Sequence, residues 1–202
     1  MLIAGDRTAR CSETMSTDTH SAAVATAGDR LPILIAPNQI LRTRARLVKP
    51  DDTELVRDLI PRMFATLYRA PGIGLAAPQV SESLRLIIID LVPNDKRQPH
   101  SLINPEVVAA SDERATREEG CLSLPGQYAD ITRPARVKVR YLDAAGTKRE
   151  MEADGLLAAC LQHEIDHLDG ILFVDHLSAL KRNMIMRRLA KEQRLKQEER
   201  KR

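Results

Sequence analysis

His163, Glu164 and His167 stand in the order H-E-x-x-H within the segment QHEIDH at residues 162–167. Residues four apart share one face of a helix, so both imidazoles can be presented to a single divalent ion. Glu164 is rotated about 100° from His163, which keeps it out of line with the two imidazoles and beside the ion's open position. The chemistry this suits is metal-assisted hydrolysis: the ion lowers the pKa of a water toward neutrality, and the carboxylate moves the proton. A surface helix with charged residues at i and i+4 writes the same pattern, so a third ligand has to be found.

In metzincin proteases the third ligand is a His six residues after the second, following a Gly. Here Gly170 holds the Gly position but Phe173 stands where that His belongs, which excludes the family. The remaining candidates are cysteines. Cys160 precedes His163 by three residues on the same helix, and three ligands in a row along one rod cannot surround an ion, so Cys160 is expected in a pocket wall or the core. Cys121 lies in EEGCLSLPG at residues 118–126, a Gly- and Pro-punctuated segment leading toward a strand, where a thiolate and backbone can both face a cleft. A buried, inert thiol is the commoner role for a free cysteine.

The elements that must hold these residues follow from periodicity. Leu55, Val56, Leu59, Ile60, Met63, Phe64 and Leu67 recur at helical spacing over residues 52–70. Pro61 predicts a kink or two shorter helices there. The run APGIGLAAPQ at residues 70–79 reads as a tight loop in which backbone can approach a ligand. Residues 84–92, 102–109 and 135–142 read as strands, and Ala144-Ala145-Gly146 as a hairpin turn into a strand over 147–152. A helix with Asp154 as N-cap runs to Leu168 and stops at Gly170. The last helix, residues 178–199, carries Leu180, Met184, Ile185 and Leu189 on one side. Strands grouped before a buried helix predict an α+β fold of one domain, with antiparallel or mixed strands packed around the central HExxH helix and a C-terminal helix beyond it.

Composition narrows the function classes. Apolar residues make up 43% and aromatics 2%, with no Trp, so a full core is affordable while stacking platforms for single-stranded nucleic acid are not expected. Neither a membrane partner nor sequence-specific nucleic acid is expected, since no stretch approaches the roughly 20 apolar residues of a membrane helix. Three cysteines form no disulfide framework and suggest a reducing compartment, the cytoplasm. Residues 1–30 lack periodicity and any secretory apolar region and read as a disordered extension, with Met15 as another candidate start. The net charge of +3 hides an asymmetry: residues 178–202 carry ten Lys or Arg against three Glu, a net +7, which leaves −4 for residues 1–177. The chain thus divides into an extension (1–30), a catalytic metallohydrolase domain (31–177) and a basic helix (178–202).

Three segments taken together, GIGLAAPQ at residues 72–79, EGCLS at 119–123 and QHEIDH at 162–167, resemble the peptide deformylase family in sequence and order. The resemblance runs from about residue 34 to about residue 195. It implies an enzyme that hydrolyses a linear amide, removing the formyl group from the initiator methionine of nascent proteins and releasing formate. It implies Cys121, His163 and His167 as metal ligands and Glu164 as general acid and base. Gln79 and the backbone N–H of Leu122 would stabilise the oxyanion, and Gly74 would offer backbone to the substrate. A methionine pocket could be lined by Ile73, Leu156, Ala159 and Cys160, residues equally suited to core packing. The implied cofactor is one divalent ion, Fe2+ in the cell, with Zn2+, Ni2+ or Co2+ in purified protein. One departure stands out: well-known bacterial members carry Arg where Tyr128 stands, at a position facing the peptide part of the substrate, so peptide preference is open. Because the substrate emerges from a ribosome, the basic helix suggests ribosome attachment. Two other readings use the same residues, a zinc endopeptidase and a ribosome-binding factor without chemistry.

Overall fold

The computed structural model describes residues 30–70, 72–91 and 97–199. The extension expected at residues 1–30 falls outside these residues except for Arg30, as does Val92 at the end of one expected strand.

The first helix, α1, spans Thr53–Leu67 with Pro61 inside it, continuous rather than split into the two shorter helices considered above. Pro61 is exposed, so water can satisfy the carbonyl that its missing N–H leaves unpaired. The strands are β1 (Gly74–Ala76), β2 (Leu86–Ile89), β3 (His100–Ala110), β4 (Arg114–Cys121), β5 (Leu124–Pro134), β6 (Arg136–Leu142) and β7 (Lys148–Asp154). Two more helices follow, α2 (Gly155–Leu168) and α3 (Ala179–Glu199). Five strands form one antiparallel sheet in the order β1-β2-β3-β6-β7, while β4 and β5 pair only with each other as a separate ribbon.

Strand β2 explains how the sheet carries a helix on each face. Alternate side chains point to opposite sides. Ile87 and Ile89 join Leu102, Val139 and the α2 residues Ala158, Leu161, Ile165 and Leu168 in one core. Leu86 and Ile88 join Val56, Leu59, Met63 and Leu67 of α1 in another. A third core gathers Leu41, Leu124, Ile131, Phe173 and Leu189, and so docks α3 against the ribbon.

Three expectations change in detail. The β4–β5 ribbon was not legible as a hairpin, because β4 (RATREEGC) is charged and mostly exposed and shows no apolar alternation. Asp154 does precede α2, yet its side chain makes no capping hydrogen bond. On α3, Leu180 and Met184 are exposed, and the inward stripe is Leu189, fully buried, with Ile185 and Met186 half-buried, because the helix meets the body only beyond its first turns. The expected hairpin at residues 143–147 is present, with Gly146 at φ +76° and Asp143 Oδ1 accepting the N–H groups of Ala145 and Thr147.

Candidate active site

Helix α2 presents His163, Glu164 and His167 from beneath the five-stranded sheet, all three buried. Cys121 comes from the other sheet, as the last residue of β4 at the ribbon's turn. The fold brings its Sγ to 3.2 Å from His167 Nε2. That sulfur and one nitrogen of each histidine lie within 4.8 Å of one another. Two donors on one tetrahedral ion at ordinary Zn–S and Zn–N lengths sit roughly 3.5 Å apart, so these three donors fit a single ion. Cys160 is not part of the group. Burial, and then the Glu164 and Glu119 charges, push its thiol well above the usual range and keep it neutral.

His163 Nδ1 lies 2.8 Å from Glu119 Oε2, which makes it the donor and leaves Nε2 available to an ion. Burial opposes a charge on His163, but Cys121 and Glu119 outweigh it and hold the imidazole well above its ordinary pKa. Metal binding at this nitrogen is therefore coupled to proton release. His167 is shifted the other way, by burial and then by the charge of His163. Glu119 is held down at about 2: burial raises it, and the His163 and Arg133 hydrogen bonds more than compensate.

Glu164 has a different environment. Its Oε2 and the Nδ1 of His167 are buried with no hydrogen-bond partner among the described residues. Burial is the main cause that raises the Glu164 carboxyl to about 7, a value suited to taking and returning a proton near neutrality. Strand β1 passes so closely that a Cβ on Gly74 would lie 2.5 Å from Glu164 Oε1 and 2.9 Å from Cys160 Sγ. Across the site, Gln79 is oriented by its own loop. Its Oε1 accepts from the Ala76 N–H at 2.8 Å, so Nε2 faces Ser123 Oγ at 3.1 Å and Cys121 Sγ at 3.5 Å.

Ile73, Leu156, Ala159, Cys160 and Tyr128 all line one cavity of about 540 Å³, together with Gly74, Gln79, Leu122, His163 and Glu164. Tyr128 stands at its rim, 64% exposed. Its ring lies on Gly120, where a Cβ would come within 2.6 Å of the ring edge. Glu119, Ser123, Arg133 and Asp166 were not singled out from the sequence. Glu119 and Asp166 sit inside the recognised motifs and could have been flagged as partners for the ligands; Arg133 carries no sequence signal.

The model of the polypeptide deformylase family matches residues 30–183. The chain belongs to the peptide deformylase family. A peptide deformylase of Brucella suis is 52% identical over 161 residues, covering 79% of this chain and 91% of that one. Among solved structures, a peptide deformylase from Legionella pneumophila is 48% identical with a TM-score of 0.75, covering 81% of this chain and 95% of that one. Another, from Ehrlichia chaffeensis, is 36% identical with a TM-score of 0.76, covering 81% and 96%. This deformylase is a metal-dependent hydrolase that removes the N-formyl group from the initiator methionine of nascent proteins and releases formate. The endopeptidase and non-catalytic readings fall with that assignment.

Proposed function

We propose that Cys121, His163 and His167 hold the single catalytic ion and that Glu164 handles the protons of formyl hydrolysis. The observation that carries this reading is the convergence of one sulfur and two imidazole nitrogens, from two separate elements, beside a buried carboxylate with an unpartnered oxygen. When bound, the ion supplies Lewis acidity at the formyl carbonyl and makes a water reactive near neutral pH. Glu164 takes the water's proton and returns it to the leaving methionine nitrogen. Gln79 Nε2 and the backbone N–H of Leu122 donate to the oxygen on which charge develops. Gly74 offers its backbone to the substrate, while its missing side chain leaves room for Glu164 and Cys160. Ile73, Leu156, Ala159 and Cys160 receive the methionine side chain, and Tyr128 meets the peptide beyond it.

One thiolate and two imidazoles suit iron, zinc, nickel and cobalt alike. Iron(II) is the ion we assign in the cell, with the others entering the same site in purified protein. The enzyme is placed in the cytoplasm, where formylated chains are made. Among the described residues no helix is long and apolar enough to cross a membrane. Residues 31–177 form the catalytic unit, and the basic helix is its attachment to the ribosome. The test is metal content and formate release from a formyl-Met-Ala-Ser peptide after anaerobic purification. Cys121→Ala should lose both ion and activity, whereas Cys160→Ala should keep one ion per chain. Stoichiometric metal in Cys121→Ala removes the ligand assignment.

A further inference from the structure

The three donors of the metal site come from two parts of the molecule that are not stitched together by main chain. Cys121 belongs to the β4–β5 ribbon and the histidines to α2, and among the described residues no backbone hydrogen bond joins ribbon to helix. A catalytic ion needs its donors placed to within a fraction of an ångström. Something else must set the gap.

Arg133, on β5, spans it. Its Nε and Nη2 hold the two oxygens of Glu119 on β4 at 2.6 and 3.1 Å, and its Nη1 reaches Asp166 Oδ2 on α2 at 2.7 Å. Glu119 in turn accepts from His163 Nδ1. Both Arg133 and Glu119 are buried. The chain of contacts continues outward: Asp166 Oδ2 also lies 2.7 Å from Nε2 of His176, in the short turn Phe173–His176 that precedes α3, and that imidazole is 35% exposed. One polar path therefore runs from a surface histidine to a proposed metal ligand: it crosses from helix to ribbon between Asp166 and Arg133 and returns to the helix between Glu119 and His163, beside a separate bond from Gln162 Nε2 to the Pro134 carbonyl at 3.1 Å.

We propose that Arg133 is the positioning residue of the metal centre, fixing the spacing between the Cys121 strand and the two-histidine helix, with Asp166 and His176 as its outer anchor. The planar fork explains the choice of Arg. One edge grips Glu119 with two parallel hydrogen bonds while the third nitrogen is left for Asp166, an arrangement a Lys ammonium cannot reproduce. The same grip orients Glu119 so that His163 keeps its proton on Nδ1 and turns Nε2 to the ion. Without Arg133 the Glu119 and Asp166 carboxylates would face each other across the gap without a shared cation and part the two elements.

The inference rests on Cys121, His163 and His167 being the ligands, and the test separates the two. Zinc-loaded protein is titrated with a chromophoric chelator to obtain the zinc dissociation constant, and KM for a small formyl peptide is measured at saturating zinc. Arg133→Lys should weaken zinc binding by about 10- to 100-fold, the usual size of an outer-shell loss, with KM unchanged because Arg133 touches no substrate. His176→Phe should weaken it several-fold, while His176→Gln, which can still donate to Asp166, should restore it. Cys121→Ala binding zinc like the unaltered chain would remove the ligand assignment itself. Cys121→Ala losing zinc while Arg133→Lys keeps the original dissociation constant would overturn the positioning role. Should Arg133→Lys fail to fold, the His176 pair decides: weaker zinc in Phe than in Gln supports the clamp, and equal values overturn it.

Discussion

At Glu164 a buried carboxylate has one oxygen without a hydrogen-bond partner among the described residues, while its two neighbours in the motif turn toward Cys121. Such a group is suited to carrying a proton rather than holding an ion, as proposed above. Glu164→Gln keeps the shape and removes the proton, so metal content should stay near one per chain while kcat falls by about 10²- to 10⁴-fold. Loss of the ion in that variant would instead make Glu164 a ligand. Gly74 offers an independent probe of the same carboxylate. A methyl group there meets the far end of a flexible side chain, which can swing aside, and the Cys160 sulfur. Gly74→Ala is therefore expected to fold and bind its ion but to misplace Glu164. A displacement on the order of 1 Å costs up to about 10²-fold in rate. Unchanged kcat with unchanged thermal stability would show that Glu164 needs no such room.

Elements set where these residues meet, and the joint that ends α2 is the least forgiving. Gly170 has φ +74°, and a Cβ on it would come 2.7 Å from both the carbonyl carbon and oxygen of Arg42, backbone atoms that cannot rotate away. Gly126 and Gly146 also have positive φ, but a Cβ on either meets nothing within 4 Å. Gly170→Ala should thus add a clash to the cost of a left-handed Ala, a total of about 2 kcal/mol or more. In a domain of this size that lowers Tm by roughly 5 °C. Gly146→Ala bears only the smaller backbone penalty of about 1 kcal/mol. Equal melting temperatures for the two would show that the chain at Arg42 yields to the added methyl.

For the whole molecule, the basic C-terminal helix is part of the fold as well as a charged surface. Leu189 is fully buried against the core that holds Leu124 and Phe173, and Gln193 donates to the Ala36 carbonyl at 2.9 Å. Cutting the chain after Ala179 would uncover the ribbon that carries Cys121, so truncation is a poor test of ribosome attachment. Charge removal is better. Lys181, Arg187, Lys191 and Arg194 are exposed. Changing all four to Gln should weaken cosedimentation with ribosomes, most at low salt, and flatten its salt dependence, because each cation lost is one fewer phosphate counterion released. Hydrolysis of small formyl peptides should be unaffected. Cosedimentation equal to that of the unaltered chain would leave the helix with a packing role alone.

The amino-acid order by itself determined the chemistry and most of the elements that carry it. QHEIDH is local, with spacing set by one helical turn, and the strands with alternating or β-branched residues declared themselves because one face of each, and both faces of β2, are buried. Helix geometry set Cys160 aside and left Cys121 as an open candidate, and the family resemblance implied it as the third ligand. What only tertiary structure decided is how the two sheets come together. β4 is polar and exposed, so it has no periodicity to read, and its pairing with β5 is visible only once the chain has folded back. Arg133, Glu119 and Asp166 are separated by up to 47 positions, yet they meet around one guanidinium. A buried ion pair leaves no pattern along the chain: its partners are chosen by the cost of leaving a charge alone in a low-dielectric interior, which exists only after the core has formed.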